Sequence, residues 1–98
     1  MIKKIGLIKG RHALPPEVKH YFFTRALTSE EMTDGRWLLY AAENALLRLD
    51  VKDEVIIYVT GLTAALIAVL NACRARGIKV WLMHYDRVRK SWWTQEVM

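Results

Sequence analysis

The stretch Val55-Ile56-Ile57-Tyr58-Val59-Thr60-Gly61-Leu62-Thr63-Ala64-Ala65 decides how this chain is read. Its first five residues form an unbroken run of β-formers. Such a run suits a strand buried on both faces, as in a parallel sheet. Thr60–Thr63 then turns the chain. Ala64–Arg76 is helical in pattern, and Gly77 stands where the first residue past a helix belongs. Ile78–Tyr85 is a second strand. Strand, turn, helix and strand make a βαβ unit over Glu54–Asp86, whose crossover is expected to be right-handed.

Downstream, Asp86–Lys90 is a charged turn. Ser91–Val97 is a final strand that pairs back as a hairpin. Upstream, Leu38, Leu39, Ala42, Ala45, Leu46 and Leu49 recur at helical spacing within Arg36–Leu49, with Glu43, Asn44 and Arg48 on the other face. Thr28 and Glu31 have capping-box spacing, and Asp34-Gly35 punctuates the chain. Pro15-Pro16 excludes a helix before it. Val18–Arg25 holds Tyr21, Phe22, Phe23 and Thr24 and favours a strand, with a short helix from Pro16 as the alternative. Ile2–Ile8 reads as the first strand. The order is β-(β)-α-β-α-β-β, with no internal repeat, linker or low-complexity segment.

The 98 residues fit one domain, 1–98, with an apolar share of 53% that suits a true core. The net charge of +5 favours anionic partners, and it also fits an ordinary solubility surface. Cys73 is the single cysteine, so no intrachain disulfide or zinc site is expected; it reads as a small core residue in a reducing, cytoplasmic compartment. The amino terminus lacks the pattern of a signal peptide. The longest apolar run, Leu62–Leu70, is far below the ~20 residues needed to span a bilayer, so no membrane partner is expected.

The chemistry gathers at the turn. Helix N-termini leave N–H groups unpaired and attract anions. Gly61 permits close approach of a ligand, Leu62 lies in the same turn, and Thr60 and Thr63 offer hydroxyls. Ligands collect outside the carboxyl ends of strands in open α/β sheets. The plainer alternative is that Thr63 only caps its helix and Gly61 only turns the chain. No Walker motif is present. If the strands Val55–Val59 and Val80–Tyr85 are adjacent and parallel, His84, Tyr85, Asp86 and Arg87 join the same rim. Donors and cations then suit phosphate, and Tyr85 or a Trp suits a base. His84 as a partly buried hydrogen-bonding residue, and Arg87–Lys90 as a solvated turn, stay open. Arg11 and His12 follow the first strand and join the rim if it too is parallel; otherwise they are loop residues. His84 and Asp86 alone hint only weakly at metal, so neither metal nor cofactor is expected. The helix Ala64–Arg76, rich in alanine, is sandwiched in the fold or buried in a dimer. Trp92-Trp93 sends one indole to each face of its strand and hints at an interface.

On these residues, Val55–Val97 resembles the core of CRISPR-associated Rossmann-like (CARF) domains and of the small stand-alone ring nucleases related to them. The shared parts are the strand Val55–Val59, the turn Thr60–Thr63, the helix Ala64–Arg76, the strand Val80–Tyr85 with Asp86, the basic turn Arg87–Lys90 and the strand Ser91–Val97. They cover under half of the chain, and many Rossmann-like proteins share them. Gly10-Arg11-His12 before a proline is similar to short His-containing segments of some stand-alone members. The fold expected is a small Rossmann-like three-layer α/β domain, with a mainly parallel central sheet and a C-terminal hairpin. The resemblance implies a homodimer that binds a cyclic oligoadenylate across its two-fold axis. Thr60, Gly61, Leu62, Thr63, Tyr85, Asp86 and Arg11 would then contact the ligand. In cleaving members the ribose 2′-hydroxyl attacks the adjacent phosphate, giving linear products without metal. His12, His84 and Arg87 are the implied acid/base and charge-stabilising candidates.

Two other function classes compete. One is a non-enzymatic interaction or assembly module of a phage or mobile element on the same fold. The other is a general RNA or DNA binder. Against the latter, the basic residues are scattered along the sequence, with no basic helix and no aromatic-interleaved motif, so sequence-specific DNA binding is not expected.

Overall fold

The computed structural model describes residues 2–10 and 13–97. The described residues form five strands and three helices: β1 (Lys3–Ile8), β2 (His20–Phe23), α1 (Ser29–Met32), α2 (Gly35–Arg48), β3 (Glu54–Tyr58), α3 (Thr63–Ala75), β4 (Lys79–Asp86) and β5 (Ser91–Glu96). The strands join one sheet in the order β2-β1-β3-β4-β5. The first four run parallel, and β5 returns antiparallel along β4. The segment Val18–Arg25 thus contains a strand rather than a helix.

Local chemistry explains the helix limits. Thr28 and Glu31 form the expected capping box at α1. Asp34 caps α2, its Oδ1 accepting from the Trp37 N–H at 3.1 Å. The end of α3 is a Schellman motif: the Gly77 N–H donates to Arg74 O, and the Ile78 N–H donates to Cys73 O. Gly77 takes a φ of +69° there, which costs a glycine least.

The crossovers β2-α2-β3 and β3-α3-β4 step across the sheet in the same direction. Right-handed connections of that kind land on one face. α2 and α3 do pack against each other. The three-layer expectation is therefore corrected to one helical layer on one face of the sheet. Along the strands, side chains alternate between the faces. Ile5, Ile57 and Leu82 lie in one cross-strand row and are buried. With Leu7, Val55, Val80 and the α2 and α3 residues Leu38, Ala42, Leu46, Ala65, Val69 and Cys73 they form the core.

The next row, Tyr21, Gly6, Tyr58, Met83 and Thr94, points away from the helices. Among the described residues, the β1–β2 connection covers that face. Its Val18 is buried, and a Cβ on Gly6 would sit 2.6 Å from the Tyr21 ring and 2.8 Å from Leu14 Cδ1. Gly6 is therefore glycine because Tyr21 and Leu14 occupy the space above it. Among the described residues, no helix is long and apolar enough to cross a membrane.

Candidate functional site

β3 and β4 are adjacent and parallel, so their carboxyl ends lie side by side. A cavity of about 520 Å³ opens at that rim. Thr60 and Gly61 form one wall, just past β3. His84, Tyr85 and Arg87 line it from the end of β4 and the following turn. Trp92 of β5 and Ala13 of the β1–β2 connection complete it, with Val59.

The Thr60–Thr63 turn divides in two. Thr60 is 2% exposed, and its Oγ1 has no hydrogen-bond partner among the described residues. A buried hydroxyl left unpaired costs about 1–3 kcal/mol. Gly61 takes a φ of +99°, which lets the chain leave the sheet and enter α3. Leu62 and Thr63 lie outside the cavity lining. Leu62 is the N-cap residue of α3 and supplies no side-chain hydrogen bond. Thr63 is the first residue of the helix rather than its cap. The plainer role of Thr63, capping its own helix, is thus not the one it plays, and the first N–H groups of α3 have no side-chain acceptor.

The residues after β4 also divide. Asp86 Oδ1 accepts from the N–H groups of Val88 and Arg89, at 2.9 and 3.2 Å, and so fastens the β4–β5 turn. Arg89 sits 3.8 Å from the same carboxylate. Arg87 forms no ion pair among the described residues and faces the cavity as a free cation. His84 Nε2 lies 2.9 Å from Gln95 Oε1, and the imidazole stacks on Trp93 at 4.6 Å. That ring is committed to its β5 neighbours. Arg11 and His12 lie outside the described residues.

Sequence reading put Trp92 on a strand face without assigning it to the site. It packs edge-on against Tyr58 at 5.1 Å and Tyr85 at 5.3 Å. The signal was available in the hairpin register, because Tyr85 and Trp92 are direct partners across it. Burial pushes the Tyr58 phenol up, and the Glu17 carboxylate adds to this. The cavity lining thus joins two aromatic side chains, Tyr85 and Trp92, to the Arg87 cation.

Basic residues scattered in sequence do converge elsewhere. Lys3, Lys4, Lys19 and Arg48 line a concavity of about 640 Å³ at the opposite, amino-terminal end of β1. Two of them have structural tasks: Lys3 Nζ donates to Leu49 O, and Arg48 donates to the Tyr21 carbonyl. Among the described residues, no cluster of three His, Cys, Asp or Glu is placed to hold a metal ion. No family model, curated protein or solved structure matches this chain.

Proposed function

We propose that the rim at the carboxyl ends of β3 and β4 binds a phosphodiester-linked nucleotide, with a cyclic oligoadenylate as the ligand to try first. One observation carries the reading. The cavity combines the buried, unpartnered Thr60 hydroxyl, the free Arg87 guanidinium and the aromatic pair Tyr85 and Trp92. The guanidinium suits phosphate oxygens, bidentately where geometry allows. The aromatic faces suit stacked bases.

The choice of a cyclic oligoadenylate comes from the CARF resemblance, and a Rossmann-like description of the fold goes with it. That ligand belongs to cytoplasmic CRISPR signalling or its viral counterpart. Binding is the better supported half of the reading. Cleavage by the ring-nuclease route needs a proton acceptor near the ribose, and the His84 ring is already engaged with Gln95 and Trp93. Arg87 fits the stabilisation of phosphate charge in either case.

The test is a thermal-shift titration of the protein with cyclic tetra-adenylate, cyclic hexa-adenylate and their linear counterparts, followed by chromatography of the products. A rise in Tm with a cyclic ligand, lost in Arg87→Ala, is the expected result. Linear product would extend the reading to an enzyme. No shift with any of them removes the cyclic-oligoadenylate reading.

A further inference from the structure

The sheet has two free edges, and they are built differently. β2 is four residues long. Arg48, reaching from α2, donates to the carbonyl oxygens of Tyr21 and Phe22 on this strand. α2 also packs along β2. That edge is short and guarded. β5 is six residues long, exposed at most positions, and has no proline. Its one charged residue is Glu96, whose carboxylate is drawn back 2.9 Å from Lys79 Nζ of β4. None of the usual devices against edge pairing protects it.

The hydrogen-bond register identifies the free groups. The Val97 N–H donates to Val80 O, so Val97, Gln95, Trp93 and Ser91 turn their backbone groups toward β4. Trp92, Thr94 and Glu96 turn theirs outward, to no strand. We propose that this edge pairs antiparallel with the β5 edge of a second copy of the chain, about a two-fold axis at Thr94. The three outward residues then exchange about six hydrogen bonds with their counterparts. Thr94 meets Thr94, and Trp92 meets Glu96. No like charges face each other. Antiparallel pairing also brings the Lys90 end of one strand toward the Glu96 end of the other. A parallel pairing would set Glu96 beside Glu96. Trp93, half exposed beside this edge, gains a neighbouring strand on its side. The inference rests on strand geometry and stands independently of the ligand.

Sedimentation velocity of the ligand-free chain, over a range of concentrations, tests it. The wild type is expected to dimerise. Thr94→Pro removes an outward N–H and no bond to β4, so it should keep the fold by circular dichroism while weakening the dimer about tenfold or more. Thr94→Lys places like charges at the axis and should do the same if the proline variant fails to fold. A monomeric wild type, or a dimer unchanged in folded Thr94→Lys, overturns the proposal.

Discussion

The two faces of this sheet use the same strands for different ends. On the helix side, Val55, Ile57 and Val80 are fully buried in a core that is mostly aliphatic and also holds Phe22 and Phe23. On the other side, Tyr58 is buried while Trp81, Met83 and Trp92 are half-buried and Tyr85 is exposed. The helix side excludes water, and dense packing there supplies stability. The open side takes side chains with an apolar body and a polar tip, because those tolerate partial wetting. Trp81 shows the pattern: its Nε1 donates to the Glu54 carboxylate, and Lys79 Nζ lies 4.8 Å from its ring centre. Such a face can present a binding surface without loosening the core behind it.

Substitutions on each face put this contrast to the test. The largest effect is expected from Ile57→Ala on the helix side, which should cost about 2–5 kcal/mol in a urea melt through lost burial and a residual cavity. A loss below that of any open-face change would break the contrast. Gly6→Val on the open side forces methyl groups against Tyr21 and Leu14 and should cost roughly 1–3 kcal/mol, read in the same melt. Tyr85→Ala, half exposed with one edge contact to Trp92, should cost only about 0.5–1.5 kcal/mol. It should nevertheless weaken the proposed nucleotide binding, which separates a surface role from a packing role.

The smallest effect serves as a control outside both faces. Arg25 forks onto Glu31 at 2.8 and 2.6 Å, and with the Thr28 N–H it holds the Glu31 carboxyl down at about 2 from an ordinary 4.5. Its contribution is complete above pH 4.5 and is lost as pH falls toward 2. An NMR titration of Glu31 should find its midpoint near that lower value. The pair is exposed, so the change in Tm over the same range should be slight.

The βαβ unit was legible because its signals are local and agree. An apolar β run, a glycine turn and a small-residue helix ending in Gly77 all point one way. The α1 start was legible from Thr28 and Glu31 for the same reason, whereas Asp34 reads only as punctuation and the structure makes it the cap of α2. The single helical layer was not legible, since it depends on the order β2-β1-β3, which no local pattern encodes. The site was readable as a rim, because parallel neighbours share their carboxyl ends. The parting of Arg87 from Asp86 was not. Both are charged and adjacent in sequence, and only the turn geometry makes one a fastener and leaves the other free. His84 likewise gave no sign of Gln95, eleven residues on, until the hairpin register placed it opposite Leu82 and diagonal to the ring.

The position of β1 has a consequence for how the chain is made. β1 lies second in the sheet, between β2 and β3. It leaves the ribosome before the other described strands, yet its larger partner, β3, ends only at Tyr58. At about 5–20 residues per second, β1 waits on the order of several seconds for that partner. Among the described strands, only β2, a short parallel strand, is made in that interval. Parallel pairing across so long a gap is slow in its own right. Lys3 and Lys4 at the head of the strand set two positive charges beside Ile5, Leu7 and Ile8, which opposes association of that apolar segment through the wait. Vectorial synthesis therefore makes the middle of the finished sheet the part most exposed to misassociation while the chain is still growing.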